Sequence, residues 1–393
     1  MFSNRKTPLA WHNLTHSWRR LLVAVGGLGF AVLLVFMQNG FRYALFDSAV
    51  RLIRELDADL VIVSSAHRGL VSLETFDETR VYQARGCPGV AGVYPFYLFY
   101  GGEWKLAGEI SQRIRLLACD PAAPVFPPNS KIQGQLPLLS EPGTALFDGQ
   151  GKLKKYGVRL LPNGQLDHSS AEVGGKNVEV VGSFALGTDF VSDGTLIVSD
   201  RTLAKCYPAR SPGRPALAAV DLGVVQLEPG ADAAAARDRL AALLPGDVKV
   251  RTKAEFLDDE REFWNRSTPI GYIFFLGMGL GFVVGVIICY QVIGTDVADH
   301  LAEFATLKAM GYRNAFFIGF IFQESLYLTV LGFLPGMAAS WGLYQALEWL
   351  TGLPLDLTPG RAAAVFGFTA LMCVLSGCLV IRKVFDADPA ELY

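Results

Sequence analysis

The sequence predicts a membrane protein with four transmembrane α-helices and a large α+β extracytoplasmic domain inserted between helices 1 and 2. Hydrophobic residues make up 51% of the 393 residues and charged residues only 18%, which is too apolar for an ordinary soluble protein of this length. Four apolar segments are long enough to cross a hydrocarbon layer of about 30 Å. The mixed stretch between the first and second segments has the length and pattern of a folded domain.

The predicted spans are the longest apolar runs of the chain: Leu21–Gln38, Ile270–Gly294, Ala315–Leu347 and Ala362–Ile381. The third run is longer than a bilayer requires and contains Pro335, which predicts a kink or an early exit from the membrane. Glycine recurs at every fourth position on one face of the second span, so we expect close packing against another span or a second copy: Gly277, Gly281 and Gly285.

Basic residues flank the outermost spans and set the predicted orientation. The first twenty residues hold Arg5, Lys6, Arg19 and Arg20 without any Asp or Glu, and Arg382 and Lys383 follow the fourth span. Because cytoplasmic flanks are enriched in Lys and Arg, both ends are predicted to be cytoplasmic and the inserted domain lies outside. A cleaved signal peptide is the competing interpretation, but the first apolar run continues without a small-residue cleavage pattern.

Helical periodicity extends beyond the first two spans. It continues outward from the first span to Leu56, and a matching segment, Thr252–Thr268, leads into the second. Two unbroken helices of this length would form a stalk beyond the bilayer. The predicted organisation, in order, is a cytoplasmic amphipathic segment (1–20), span one and stalk (21–56), the α+β domain, expected to have two lobes (57–251), stalk and span two (252–294), a cytoplasmic coupling helix (295–314), span three (315–347), a short outer loop (348–361), span four (362–381) and a cytoplasmic tail (382–393).

The inserted domain alternates strand-like runs with a few helical ones. The predicted strands are "DLVIVSS", "VAGVYPFYLF", "RIRLLA", "VEVVGSFAL", "GTLIVS", "AAVDLGVVQL" and "DVKV". "DAAAARDRLAALL" is a predicted amphipathic helix, and "APVFPPNSKIQGQLP" is a predicted loop. Three cysteines, Cys87, Cys119 and Cys206, fall in this domain and permit at most one internal disulfide.

The sequence offers no catalytic constellation. It contains no GxSxG, HExxH or glycine-rich phosphate-binding loop, and no Cys/His spacing suited to a metal. The net charge of -2 and the pI near 6.2 argue against nucleic acid as a partner. We therefore expect no enzymatic activity, no metal and no cofactor on this chain.

Gln323 and Glu324 are the strongly polar pair well inside a predicted span. An intramembrane carboxylate is a functional candidate, since a charge in hydrocarbon costs at least a few kcal/mol. We expect Glu324 to lie near the cytoplasmic interface, protonated or hydrogen-bonded to a neighbouring helix, with a structural role favoured over proton transport.

A short charged segment, "EFATLKAMGY" from Glu303 to Tyr312, lies between spans two and three. Its pattern predicts a separate helix that begins at Asp296 and ends before Gly311, the residue suited to a left-handed terminator. One predicted face is apolar (Val297, Leu301, Phe304 and Ala305) and the other more polar (Asp296, Asp299, Glu303, Thr306 and Met310). Either it lies on the membrane and steadies a turn, or it docks into a cytoplasmic partner.

The ending "LKAMGY" resembles the motif between spans two and three of the FtsX/MacB-like permeases of ABC systems. The likeness extends to "FMQNGFRYALFDSAVRL", "FALGTDFVSDGTLIVSD", "FWNRSTPIGYIFFLG" and "DPAELY", and within the superfamily it is to the DevC-type exporter permeases. The resemblance implies a homodimer in the inner membrane, one separate cytoplasmic ABC ATPase subunit per protomer that binds the ATP, a periplasmic adaptor and an outer-membrane channel. It also implies export of a lipid-like or glycolipid cargo. Residues expected to contact the ATPase are Glu303, Phe304, Leu307, Lys308, Met310 and Gly311.

Three other functions fit the same pattern. One is a permease that releases lipoproteins from the inner membrane, and another is an FtsX-like regulator of an envelope hydrolase that moves no cargo. The third is a receptor whose cytoplasmic helix signals to some other protein.

Overall fold

The computed structural model describes residues 18–72, 74–106, 110–159, 170–210, 213–353 and 355–385. The chain divides into two compact units. We call them the membrane unit, drawn from Met1–Tyr43, Pro269–Leu347 and Leu355–Tyr393, and the sheet unit, drawn from Ala44–Thr268 and Glu348–Pro354. The predicted amphipathic segment before the first span lies outside the described residues up to Ser17.

Within the described ranges the α-helices are, in chain order, α1 (Trp18–Glu55), α2 (Thr79–Arg85), α3 (Lys131–Gln135), α4 (Asp200–Cys206), α5 (Ala233–Leu243), α6 (Lys253–Glu262), α7 (Pro269–Asp299), α8 (Leu301–Ala309), α9 (Asn314–Thr351) and α10 (Pro359–Phe385). Four of these described helices, α1, α7, α9 and α10, are long and apolar enough to cross a membrane. They contain the four predicted spans.

Glycines let the helices of the membrane unit approach one another closely around α1. A Cβ at Gly281 would meet Val35, and one at Gly285 would meet Ala31 and Met372. Gly277 faces Gln38 in the same way. The predicted glycine face of α7 therefore packs within the chain, largely on α1. Of the two expected partners, another span or a second copy of the chain, the structure shows another span.

Two predictions about helix continuity have different outcomes. α1 runs without interruption from the first predicted span through the predicted stalk, as 38 residues. The second stalk does not run unbroken: α6 passes into a π-helical turn, Phe263–Ser267, and Thr268 is extended with φ -114° and ψ 146°. The cause is Pro269, because a proline disfavours helical backbone at the residue before it. Pro335, by contrast, lies inside one continuous helix, α9.

The sheet unit contains eleven described strands, which are β1 (Leu60–Ser64), β2 (Phe76–Asp77), β3 (Val90–Lys105), β4 (Gln112–Cys119), β5 (Thr144–Asp148), β6 (Ser170–Val173), β7 (Lys176–Phe184), β8 (Thr195–Ser199), β9 (Ala219–Val220), β10 (Leu222–Leu227) and β11 (Val248–Thr252). Nine of them pair in the order β11-β1-β10-β3-β4-β8-β5-β7-β6. β3 also pairs with β6, so six strands close into a barrel. The long β3 thus belongs to both the barrel and the four-stranded sheet β11-β1-β10-β3.

An aromatic cluster fills the barrel. The ring of Trp104 lies 5.4 Å from that of Phe147, and Phe147 lies 5.6 Å from Tyr156. The indole N–H of Trp104 donates to the carbonyl of Tyr156 over 3.0 Å, so the polar atom of this buried ring is satisfied. The barrel is a packed core and not a channel.

The predicted loop "APVFPPNSKIQGQLP" is wrong in its second half. It contains α3 and leads into a 3₁₀ segment, Leu136–Ser140. The Ser130 hydroxyl accepts from the amide of Gln133 over 3.0 Å, a local cap that the proline-rich composition obscured. All six cysteines are free thiols.

Candidate functional site

α8 is a separate nine-residue helix between α7 and α9. Its C-terminus closes with Gly311 at φ +91°, a conformation that a residue with a side chain rarely adopts. The amide of Tyr312 donates to the carbonyl of Leu307 (3.2 Å) and that of Gly311 to Lys308 (3.1 Å), the hydrogen-bond pair of a Schellman motif. The predicted left-handed terminator is confirmed.

The predicted start of this helix at Asp296 is wrong. α7 continues through Asp296 to Asp299, and α8 begins after His300 with Leu301. Ile293 and Val297 extend the buried face of α7 by another turn, so apolar burial overrides the capping preference of Asp296. The short break between the helices lies at His300, whose backbone φ is -102° and ψ is 13°.

Phe304 holds α8 against the membrane unit. Its ring lies 5.7 Å from Phe317 and 5.4 Å from Phe320, both on α9, and only 7% of it is exposed. The side chain of Phe304, one of the residues expected to contact the ATPase, is therefore buried within the chain and is not part of the exposed surface of α8. Leu307 packs partly on the same cluster, and Lys308 is half-buried.

The opposite side of α8 faces outward. Glu303, Thr306 and Met310 are exposed at spacings of three and four residues, as the predicted polar face requires. Met310 is 64% and Tyr312 is 47% exposed, so this side of α8 presents apolar side chains beside the exposed carboxylate of Glu303. We call this surface the docking face and define it as Glu303, Thr306, Met310, Gly311 and Tyr312.

One end of the docking face is held by an aromatic contact. Tyr312 packs on Phe316 at the start of α9, with ring centroids 4.9 Å apart. Before α8, Asp299 at the end of α7 forms an ion pair with Arg20 of α1. The docking face thus lies on a helix that packs on α9 and follows α7 after the single residue His300.

The two polar residues predicted as an intramembrane pair point in different directions. Gln323 is exposed on the surface of α9, whereas Glu324 is fully buried at 0% exposure. Neither carboxyl oxygen of Glu324 has a hydrogen-bond partner among the described residues. Of the two states expected for Glu324, protonated or hydrogen-bonded to a neighbouring helix, the described residues supply no partner for the second.

Glu260 is a buried acid of the sheet unit that the sequence interpretation missed. Its Oε2 accepts from the amide of Leu70 over 2.9 Å, and its Oε1 accepts from the indole N–H of Trp264 over 2.8 Å. Trp264 belongs to the π-helical turn before Pro269, so Glu260 connects the segment that leads into α7 with the 3₁₀ turn at Leu70. Glu260 is four residues from both Phe256 and Trp264, on the apolar face of the helical pattern. This spacing could have predicted its burial.

Burial makes Glu260 a weaker acid than an exposed glutamate. It is 1% exposed, and desolvation raises its pKa from 4.5 to about 7 against the opposing effect of the two hydrogen bonds. Nearby, Asp189 forms a buried ion pair with Arg115, and the charge of Asp189 pushes the pKa of Glu260 further upward. A cavity of about 10 Å³ beside Glu260, Ser48 and Tyr100 has room for roughly one water molecule.

The C-terminal part of the chain is similar to a known family of permeases. Residues 275–389, which contain most of α7, all of α8 and α9, and the described α10, match the family model "FtsX-like permease C-terminal". No curated protein sequence matches the chain.

Solved structures similar to the chain include two outer domains of transport proteins. One is the extracellular domain of the ABC-type transporter YknZ from Gram-positive bacteria, with 15% identity, a TM-score of 0.33, and coverage of 50% of this chain and 99% of that one. The other is the periplasmic region of MacB from Actinobacillus actinomycetemcomitans, with 10% identity, a TM-score of 0.35, and coverage of 55% and 97%.

Proposed function

We propose that this chain, whose residues 275–389 match the model of the FtsX-like permease C-terminal family, is an ABC-type permease of the FtsX/MacB superfamily. In this role it transmits the motion of a separate cytoplasmic ATPase across the membrane to its sheet unit. The observation that carries the proposal is the docking face. The docking face is exposed, apolar and acidic, and the opposite face of α8 packs on α9 through Phe304. Such a surface is suited to bind a partner and to receive movement from it.

The chemistry of the docking face indicates how such a partner would bind it. Met310 is a flexible apolar side chain that fits an irregular cleft, and Tyr312 adds a rigid aromatic ring. Glu303 supplies a negative charge that a basic residue at the rim of the cleft would complement. The partner surface is therefore an apolar groove with a basic edge, on an ATPase subunit that holds the ATP itself.

Motion passes from α8 into the spans through short, rigid contacts. Phe304 joins α8 to α9, and the single residue His300 joins it to α7. α1 packs against the glycines of α7 and α9 and continues as one helix into the sheet unit. A displacement of α8 would thus be passed to α7, α9 and α1.

The orientation that this function requires agrees with the charge distribution. Arg19, Arg20, Arg382 and Lys383 flank the ends of the outermost spans. Basic flanks favour the cytoplasmic side, which places α8 there as well and the sheet unit outside. We propose that the protein resides in the inner membrane with the sheet unit in the periplasm.

A homodimer would use the face of α7 opposite to its glycines. Ile273, Leu276, Leu280, Val283 and Ile287 are each at least 50% exposed and alternate in steps of three and four residues. This spacing suits either lipid or the matching helix of a second protomer. In the dimer, paired sheet units would engage a periplasmic adaptor leading to an outer-membrane channel, and the cargo would be lipid-like or a glycolipid.

The docking face is tested with the ATPase subunit that co-purifies with the wild-type chain. The double variant Glu303→Lys, Met310→Asp reverses the charge and replaces the apolar anchor, while Phe304 remains in place. We expect ATPase co-purification to fall at least about tenfold, as for the loss of a single interface hot spot. Stimulation of ATP hydrolysis by the permease should be lost together with binding.

Glu141→Lys is the matched control, because it reverses an exposed charge on the sheet unit. It should leave co-purification unchanged. Full retention of the ATPase and of its stimulation by the docking-face variant would exclude this surface as the contact.

A further inference from the structure

Glu324 lies on the most buried face of α9. Its neighbours on that face, Phe320, Ile321 and Leu328, belong to an apolar cluster to which the other three long helices and α8 contribute: Ala24 and Leu28 of α1, Cys289, Ile293 and Val297 of α7, Phe304 of α8, and Cys373 and Val380 of α10. A carboxyl group with 0% exposure therefore lies where these helices meet.

The surroundings of Glu324 suit a neutral acid and not a carboxylate. A carboxylate needs several hydrogen-bond donors, and both oxygens of Glu324 lack any among the described residues. The nearby hydroxyls are already used within α9, since Ser325 donates to the carbonyl of Ile321 (2.9 Å) and Thr329 to that of Ser325 (2.7 Å). An unpaired charge in this position would be severely destabilising.

Two further titratable groups lie near the end of α7. Asp296 has a carboxyl group whose Oδ2, like both oxygens of Glu324, is buried without a partner among the described residues. His300 follows, with its Nδ1 2.9 Å from the backbone carbonyl of Asp296 and 3.8 Å from its Oδ1. Side-chain exposure rises from 11% at Asp296 to 22% at His300.

The remaining titratable groups of the packed helices leave Glu324 without a counter-ion. Arg20 on α1 is paired with Asp299 at the end of α7. On α8, Glu303 is exposed, and Lys308 is half-buried one turn after Phe304, but neither carboxyl oxygen of Glu324 has a partner among the described residues. The thiols of Cys289 and Cys373 face each other over 3.4 Å, and Tyr327 is half-buried on α9. Among the described residues, no three metal-ligating side chains converge, so a proton and not a metal ion is the ligand that fits.

We propose that Glu324 is a proton-binding site of the membrane unit. It holds one proton while the four helices are packed as described, and it exchanges that proton with solvent through Asp296 and His300 when the helices separate. On release, the proton leaves the Glu324 carboxyl for the Asp296 carboxylate and then passes to His300 or to water. No other bond changes.

Proton binding at Glu324 links the packing of the helices to pH, because only the neutral acid is compatible with the closed core. Proton binding at Glu324 would thus control the permease in addition to ATP, which binds to the separate ATPase subunit. The site is part of the membrane unit itself, so it can be tested without the ATPase, and its failure would leave the proposed function standing.

Infrared spectroscopy of the full chain in lipid nanodiscs tests the proposal directly. A protonated carboxylic acid in an apolar site has a C=O stretch that a carboxylate and an amide lack. Glu260, whose pKa is about 7, adds its own acid band at neutral pH, so the band of Glu324 is measured as a difference between variants. We expect the Glu324 band in the wild type and in Gln323→Ala, whose altered side chain is exposed on the same helix. The band should be absent from Glu324→Gln.

The pH dependence of thermal unfolding provides a second readout. Relative to Glu324→Gln, the unfolding equilibrium of the wild type should shift toward the unfolded state by up to about tenfold per pH unit as the pH rises, because folding retains one proton more than the unfolded chain does. The proposal is overturned if the infrared spectra of the wild type and of Glu324→Gln show the same acid bands at neutral pH. Superimposable pH profiles of the two proteins would overturn it as well.

Discussion

At the scale of single residues, Phe304 illustrates which part of the site the sequence could specify. The helical spacing placed Phe304 on one face and Glu303, Thr306 and Met310 on the other, and the structure agrees with that separation. Which face points outward could not be derived from spacing, because it depends on Phe317 and Phe320 of the next helix. The aromatic residue that looked like a binding anchor is the one that attaches the helix to its own protein.

Truncation of Phe304 should therefore act on stability. Phe304→Ala removes a ring that is 7% exposed and leaves a cavity between α8 and α9, which we expect to cost about 3 kcal/mol. The loss is measured as a lower midpoint of thermal unfolding of the purified chain. Met310→Ala is the control, since Met310 is 64% exposed and its truncation should leave the midpoint nearly unchanged. Equal midpoints for the two variants would contradict the inward placement of Phe304.

Glu260 makes the stability of the sheet unit depend on pH. Its folded pKa of about 7 lies above the value of 4.5 expected for an unfolded chain. The native state therefore binds more protons between these values, and stability declines as the pH rises from about 4.5 to about 7. The full difference is on the order of 3 kcal/mol.

Denaturant unfolding of the full chain, followed through tryptophan fluorescence, measures this decline. Glu260→Gln should flatten the profile between pH 5 and pH 7, although it also leaves either Leu70 or Trp264 without an acceptor and lowers stability overall. An unchanged slope in the variant would assign the pH dependence to other groups.

At the scale of elements, the strands that the sequence specified best are those whose burial has a clear pattern. "GTLIVS" and "DLVIVSS" became β8 and β1, each buried along its whole length. β5 and β6 could not be predicted: Thr144–Asp148 is short, and Ser170–Val173 is a four-residue strand whose pairing depends on closure of the barrel by β3. Long-range pairing of this kind leaves little trace in local composition.

The glycines of α9 allow a sharp test of helix packing. A Cβ at Gly336 would lie 2.8 Å from the backbone oxygen of Gly29 and 2.7 Å from a methyl carbon of Val32, and backbone cannot move aside as a side chain can. Gly336→Ala should therefore force α1 and α9 apart and cost about 1–3 kcal/mol.

Gly342 in the same helix is the matched control, because a Cβ there meets nothing within 4 Å. Gly342→Ala should be neutral or slightly stabilising, since alanine favours helix more than glycine does. The measurement is the thermal midpoint of each variant in the same detergent. A larger loss for Gly342→Ala than for Gly336→Ala would contradict the close approach of α1 and α9.

At the scale of the whole molecule, composition and the length of the apolar runs predicted four helices able to cross a membrane, and the described residues contain four helices of sufficient length and apolar character. The division of the sheet unit into a closed barrel and an adjoining four-stranded sheet follows from β3, which is long enough to serve both. The proposed function requires α8 to face the ATPase in the cytoplasm and the sheet unit to lie on the other side of the bilayer.

Thiol labelling in intact cells measures this arrangement most directly. Starting from Cys378→Ser, which removes the exposed native thiol, single cysteines are introduced at Glu303 on the docking face and at Ala242 on the sheet unit, both exposed positions. A reagent that cannot cross the inner membrane should label Ala242→Cys in intact cells and Glu303→Cys only after lysis. Labelling of both positions in intact cells, or of Glu303→Cys alone, would contradict the account.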